Sequence, residues 1–395
     1  MTLSTEHSEL PALSPGASHR LLKHTFEGAA SDGSVESIES VGSHLSAYIQ
    51  AGLHADELPG MLVIQHLLDA LVKLDNAGRI RGRIVVRPFA NPIGLGQRVF
   101  GAHAGRFNLD NGENFNRRFP DLTSRVETAL ATRDIGHNDI KSAKALFADV
   151  AAELTPLDPV AAMKAALLTE ALQHDIVLDL HCDTDGILHL YSNRSQHVQA
   201  VALARCMQIK AVFLEDRAGG TPFDEAIAQC WSVLQQAGVV DAEHAAFCTS
   251  IELRGQADVS DDFAHADAQG ILQYLALRGL VDLDTNNDDH AHPLAEHEVM
   301  VCPLEGVSHV PAPVGGLVSY KKRPGDTVKN GELIAEIIPL LGAIGATRHP
   351  VVSDVDGLLI VQQYMKLVRP GQRVALLAGK ESLPHRKTGQ LLNDF

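Results

Sequence analysis

The sequence predicts an α/β fold, a mostly parallel or mixed sheet with helices on both faces, followed by a smaller all-β region. Three observations carry this expectation. From about residue 20 to 302, apolar β-branched runs alternate with stretches of helical periodicity. Two of those runs end in histidine-bearing segments, placed where strand ends in open α/β sheets line a ligand crevice. From about residue 302 to 380 the pattern changes to short strands broken by Pro-Gly turns.

Taken in order, residues 1–20 are polar, rich in Ser and Pro, and expected to be poorly ordered. A first domain over 21–285 opens with a short buried strand at 44–50. The helix after it carries the apolar stripe Met61, Ile64, Leu68 and Leu71, with Pro59 tolerated in its first turn. A second β-branched run covers 83–89, and a helical stretch over 159–174 leads into the buried strand Ile-Val-Leu-Asp-Leu at 176–180. Helices at 196–207 and 222–238, a strand at 247–253 and a helix ending near Gly279 complete the alternation. A polar linker is expected at 286–300. Its His290, His292 and His297 share no helical face and lack a rigid acidic or thiol partner, so a solvated segment is the better reading than a metal site.

An accessory domain is expected over 301–382, with a tail at 383–395. It contains an internal echo: Gly316-Leu317-Val318 leads to Pro324-Gly325-Asp326, and Gly357-Leu358-Leu359 leads to Pro370-Gly371-Gln372. The two halves resemble the barrel-sandwich fold of biotinyl and lipoyl carriers. Between them, where a carrier presents its lysine, stands Pro-Leu-Leu-Gly-Ala-Ile-Gly-Ala-Thr-Arg-His-Pro, so a swinging-arm role fails on chemistry. A structural or substrate-shaping role is expected instead.

Bulk properties exclude several classes. The net charge of −16 argues against nucleic acid or an anionic membrane as a general electrostatic partner. No run approaches the ~20 apolar residues of a membrane span, and the first residues lack the pattern of a secretory signal. The cysteines Cys182, Cys206, Cys230, Cys248 and Cys302 are scattered without a paired motif, which points to reduced thiols in a cytoplasm. The sequence carries no mark of oligomeric state.

The chemistry begins at Gly52-Leu53-His54-Ala55-Asp56-Glu57-Leu58-Pro59-Gly60, where a strand gives way to a helix. An imidazole and a carboxylate three residues apart can converge on one Zn²⁺; the bland alternative is a polar turn with Glu57 favouring the helix dipole. His181, closing the run that begins at Ile176, adds a distant third donor. Two histidines, one glutamate and an open position form the donor set of a catalytic zinc, and the absence of HExxH excludes the thermolysin-type arrangement. Between these two places lies a Gly- and Asn-rich stretch from Gly105 to Pro120, whose arginines are surface charges by default but can fork onto a carboxylate or oxyanion.

Four motifs in order, His-Ala-Asp-Glu, Asn-Pro-Ile-Gly through Asn-Phe-Asn-Arg-Arg-Phe-Pro, Asp-Leu-His-Cys-Asp, and Ser-Ile-Glu-Leu-Arg-Gly, resemble the succinylglutamate desuccinylase and aspartoacylase family, a branch of the zinc carboxypeptidase superfamily. The resemblance covers roughly residues 40 to 280, and some members carry a similar C-terminal barrel. It implies one zinc per chain, held by His54, Glu57 and His181. It also implies Asn116 and Arg117 gripping a substrate carboxylate, and Glu252 as the catalytic glutamate. Arg106 is the expected oxyanion arginine, with Arg98 the alternative. Arg254 stands where a glycine is expected, as a substrate contact or a salt-bridge partner. His189 and Tyr191 either approach the site or pack the core. The expected reaction is hydrolysis of the amide of a small carboxylate-bearing N-acyl amino acid. A carboxypeptidase is the alternative, and a non-catalytic metal or ligand binder a weaker one.

Overall fold

The computed structural model describes residues 2–28, 45–283 and 298–391, so His290, His292 and His297 lie outside the described residues. In chain order the first strands are β1 Ser4–Glu9, β2 Arg20–Glu27, β3 Ser46–Ala51, β4 Arg83–Arg87, β5 Arg98–Val99, β6 Ala102–His103, β7 Ile176–Asp183, β8 His189–Asn193, β9 Ala211–Glu215, β10 Phe247–Gly255 and β11 Met300–Pro303. The helices are α1 Pro59–Asn76, α2 Pro92–Gly96, α3 Thr123–Leu130, α4 Ile140–Ala152, α5 Pro159–Ala171, α6 His197–Cys206, α7 Phe223–Gln236 and α8 Asp261–Leu277. One nine-stranded sheet runs β1-β2-β4-β3-β7-β10-β8-β9-β11. Its β4-β3-β7-β10 centre is parallel, while β1, β2 and the β8–β10 pair run antiparallel. The sheet is therefore mixed.

The central strands read as unbroken apolar runs because helices cover both faces. On one face α1, α6 and α8 bury Ile64, Leu67, Leu71, Leu203 and Ile271 against Ile49, Leu178 and Ile251. On the other, α4, α5 and α7 bury Phe147, Leu168 and Trp231 against Tyr48, Val177 and Cys248. The α1 stripe is centred on Ile64, Leu67 and Leu71, with Met61 and Leu68 at its half-buried margin. Pro59 stands at the helix start, where a missing N–H costs nothing.

Several boundaries differ from the sequence expectation. The N-terminal stretch is not loose: β1 pairs residue for residue with β2, although every side chain of β1 is exposed. The sheet does not end before the linker, since β11 adds in parallel to β9. The described part of the tail folds back, with Gly389 and Leu391 N–H groups bonded to the carbonyls of Arg217 and Ala218.

Beyond β11 lie β12 Val307–Pro311, β13 Gly316–Tyr320, β14 Thr327–Val328, β15 Leu333–Ile338, β16 His349–Val352, β17 Gly357–Gln362, β18 Leu367–Val368 and β19 Arg373–Gly379. They form two four-stranded sheets, β12-β19-β17-β14 and β16-β15-β13-β18. Val310, Val318, Ile334, Ile337, Leu359, Val374 and Leu377 from both sheets share one core. A second cluster joins this region to the main body, packing Ile360, Val361, Leu376 and Ala378 with Phe213, Ala218 and Leu304. Among the described residues no helix is long and apolar enough to cross a membrane.

Candidate functional site

The site forms at the C-terminal ends of β3, β7 and β10. After β3, Gly52 turns the chain with φ +67°, a conformation that favours glycine, and the segment to α1 carries His54 and Glu57. Glu57 N–H bonds back to the His54 carbonyl at 3.1 Å, which fixes their spacing. The Asn91 side chain secures this turn from outside: its amide donates to the Leu53 carbonyl at 2.9 Å and its Oδ1 caps α2 through Gly94 N–H. His181 arrives from β7, whose parallel pairing with β10 sets it beside Glu252.

His54, Glu57 and His181 are all buried, and a donor atom from each lies within 4.8 Å of the others. Both imidazoles present Nδ1 to Glu57. His54 Nδ1 is 2.9 Å from Oε1 and His181 Nδ1 is 2.9 Å from Oε2, which also accepts the Cys182 N–H at 3.0 Å. Both Nε2 atoms face acceptors. His54 donates to Asn114 Oδ1 at 2.8 Å, whose orientation is fixed because it also accepts the Asn116 N–H at 2.8 Å. His181 donates to Asp179 Oδ2 at 2.8 Å. Asp179 is held in turn by Gln50, which accepts from the Tyr48 hydroxyl.

This pattern tests whether a metal fits. With each Nε2 carrying a proton, a neutral ring has only a lone pair at Nδ1, and Glu57 offers only lone pairs in return. Burial, reinforced by the Arg106 charge, pushes His54 down to about 4, so its Nδ1 is such a lone pair. For His181, burial is outweighed by the charges of Asp179 and Glu57, which hold it well above the ordinary value. Burial raises Glu57 less than the two imidazoles lower it, so it is an anion. His54 Nδ1 and Glu57 therefore face each other as lone pairs, a contact that a cation between them would satisfy. Arg106 brings a permanent positive charge there, with Nη1 2.7 Å from Glu57 Oε1 and 3.3 Å from His54 Nδ1. Two imidazole nitrogens and a carboxylate, each ring anchored through its second nitrogen, match a zinc donor set and its outer layer.

Gly105 brings Arg106 in. Its carbonyl accepts the Ala55 N–H at 3.0 Å, and a Cβ on it would stand 2.3 Å from the Asp56 nitrogen. Arg98, the alternative, is exposed on the small β5–β6 hairpin and donates to the carbonyls of Leu95 and Gln97. Asn116 lies beside the cluster, its Nδ2 3.4 Å from His181 Nε2, while its Oδ1 accepts the Phe223 N–H at 2.9 Å. The Arg117 guanidinium donates to the Asn116 carbonyl at 2.7 Å, and burial holds its pKa below the usual value. Among the described residues it makes no ion pair, so its charge is uncommitted at contact range. Backbone bonds from Arg118 and Phe119 to the carbonyls of Gly220 and Thr221 dock this loop onto the start of α7.

Glu252 has a buried Oε2 without a hydrogen-bond partner. Burial first, then the charge of Glu57, push its carboxyl up to about 8. The Arg254 guanidinium forks onto Asp267 of α8 and stacks 4.4 Å from the Phe263 ring centroid. Of the two expectations for it, the salt bridge is what the structure gives. His189 is fully buried, bonded to the Ile187 carbonyl at 2.8 Å and packed on Phe213. Tyr191 stacks on the same ring and lies within reach of the Glu252 charge. Sequence reasoning missed Asn114, Asp179 and Gln50. Only Asp179 left a signal, because residues two apart on a strand share a face with His181.

The structure is a mixed α/β sheet that gathers at its strand ends a His-Glu-His cluster whose donors could hold a metal ion. The model of the succinylglutamate desuccinylase/aspartoacylase catalytic domain matches residues 43–278, and the chain belongs to that family of amide hydrolases. This is consistent with the zinc carboxypeptidase superfamily. No curated protein matches the chain. Among solved structures, a succinylglutamate desuccinylase/aspartoacylase family protein from Shewanella amazonensis is 24% identical with a TM-score of 0.79, covering 95% of this chain and 99% of its own. A protein described with the same family name from Shewanella frigidimarina is 23% identical with a TM-score of 0.80, covering 96% and 97%. The product-bound ectoine utilization protein EutE from Ruegeria pomeroyi is 15% identical with a TM-score of 0.63, covering 95% of each chain. At these identities the likeness is one of fold.

Proposed function

We propose that this chain is a zinc-dependent amide hydrolase that deacylates an N-acyl amino acid or a related small carboxylate. The observation that carries the reading is the buried cluster in which His54 and His181 both aim Nδ1 at Glu57 while their Nε2 protons are anchored elsewhere. Bound there, zinc would supply Lewis-acid chemistry, polarising the scissile carbonyl and making water a nucleophile near neutral pH. Glu252 takes the proton from the attacking water and returns it to the leaving amine. Arg106, drawn to this centre by charge, donates to the developing oxyanion. Arg117, with Asn116 shaping the loop beneath it, forks onto the substrate carboxylate and fixes the amide at the cluster. The C-terminal sheets are taken as a lipoyl-like sandwich used for structure, not as a carrier. The five buried, unpaired cysteines support a cytoplasmic setting.

The test is elemental analysis combined with a hydrolysis screen of N-acyl amino acids and short peptides. One zinc per chain and turnover of an N-acyl amino acid are expected, with His181→Ala losing most of the metal. Full zinc occupancy in that variant would remove His181 from the ligand set. Turnover confined to peptides would replace the deacylase with a carboxypeptidase.

A further inference from the structure

The segment that leaves the cluster is bonded to the C-terminal β region. Strand β7 ends at Asp183, two residues past His181. Ile187 N–H then bonds to the Ile360 carbonyl, Gln362 N–H to the Asp185 carbonyl, and the Thr184 hydroxyl to the Gln362 carbonyl. The last link is ionic: Arg373 at the start of β19 donates from Nη2 to Asp183 Oδ1 at 2.7 Å, with both side chains more than four-fifths buried. Asp183 also faces inward, and its charge acts on Arg106, Glu252 and Tyr191.

Two guanidinium charges thus act on one carboxylate, which lies two residues beyond His181 on the same face of its strand. Arg373 is packed and bonded to it. Arg106 is 41% exposed, and in the site it contacts Glu57 and His54 through Nη1. Without Arg373, Asp183 would be a buried anion held by the Thr184 N–H at 2.6 Å; of the two other side chains whose charge acts on it, burial keeps His189 neutral, which leaves the half-exposed Arg106 as the cation. An arginine forked onto Asp183 is withdrawn from the reacting carbonyl. We propose that Arg373 is a positioning residue: by saturating Asp183 it keeps Arg106 at the His-Glu-His cluster, so the C-terminal β region completes the catalytic centre. The inference rests on the reading of Arg106 as the oxyanion donor.

The experiment uses the full-length, zinc-loaded chain and has two readouts, the position of Arg106 by diffraction and the kinetics on the substrate found in the screen. In Arg373→Ala the Arg106 side chain should be bonded to Asp183, and kcat should fall about 10- to 100-fold with little change in KM, the scale of a displaced catalytic group. The double variant Asp183→Asn with Arg373→Ala should recover most of that loss, because an amide no longer attracts a guanidinium. A contact that merely docks the domain would show no such rescue. Arg373→Lys keeps the charge, guards against a folding defect, and should leave Arg106 at the cluster. Arg106 unmoved in Arg373→Ala, or a loss that Asp183→Asn does not relieve, overturns the proposal. If no amide substrate is found, the diffraction readout alone decides where Arg106 goes, separately from the deacylase reading.

Discussion

Glu252 and Arg117 are the residues whose chemistry is most exposed to test. The Glu252 side chain is half-buried with one oxygen enclosed and without a partner, and burial with the Glu57 charge pushes its carboxyl up to about 8. Glu252→Gln is nearly isosteric and should keep the metal while kcat falls by about 10²–10⁴-fold. Near-normal turnover in that variant would make Glu252 structural. Arg117 is different, because its charge is spent on no carboxylate within contact range among the described residues. Arg117→Lys keeps the charge but loses the planar fork, and should lower kcat/KM strongly. Amidating the substrate carboxylate should do the same to wild type. Arg118 is exposed and serves as the control, so Arg118→Ala should change little. Equal rates on free-acid and amidated substrate, or a larger effect at Arg118, would sink the carboxylate clamp.

The turn after β3 and the loop that leans on it show what can and cannot be read from sequence. That His54, Glu57 and His181 come together was legible because two imidazoles and a carboxylate at strand ends form a recognisable candidate donor set. The choice between Arg106 and Arg98 was not legible, because it depends on Gly105 lying against the Ala55–Asp56 peptide, a contact with no spacing signature. Strand β1 was hidden for a related reason: all its side chains are exposed, so it has no apolar alternation and is specified by pairing with β2 alone. Arg254 left both alternatives open until Asp267, thirteen residues on, appeared beneath it. The Gly105 contact also makes a prediction about the element as a whole. In Gly105→Ala the new Cβ meets backbone, which cannot swing aside, so the loop must shift and carry Arg106 with it. A displacement of about 1 Å costs on the order of 10²-fold in rate. Gly96→Ala, with nothing within 4 Å of the added carbon, should be close to neutral. Comparable activity in the two variants would mean that the loop's approach to the turn does not position Arg106.

Over the whole molecule, the sheet end that holds the His-Glu-His cluster gathers charge while the opposite end buries a neutral histidine. His174 follows α5 and precedes β7. Its Nδ1 donates to the Glu170 carbonyl at 2.9 Å, its ring lies 5.7 Å from that of Tyr48, and it is 2% exposed. Burial is the main cause that pushes it down to about 4. The sign follows from proton counting. Between about pH 4 and 6.5 the unfolded chain binds a proton at this residue that the folded chain does not, so acid favours unfolding there. The contribution is fully present above about pH 6.5 and is lost as pH falls toward 4. At pH 5.5 a single histidine shifted in this way is worth on the order of 1 kcal/mol of lost stability. The measurement is the denaturant-unfolding free energy of metal-free protein at pH 7.5 and 5.5, for wild type and His174→Gln. Metal-free protein is used because metal binding is itself linked to protons. Other buried groups, His54 among them, give both proteins a common acid dependence. Wild type should therefore lose on the order of 1 kcal/mol more than the variant between the two pH values. An equal loss in both proteins would mean that His174 accepts its proton without unfolding the chain, and that this end of the sheet is open to water.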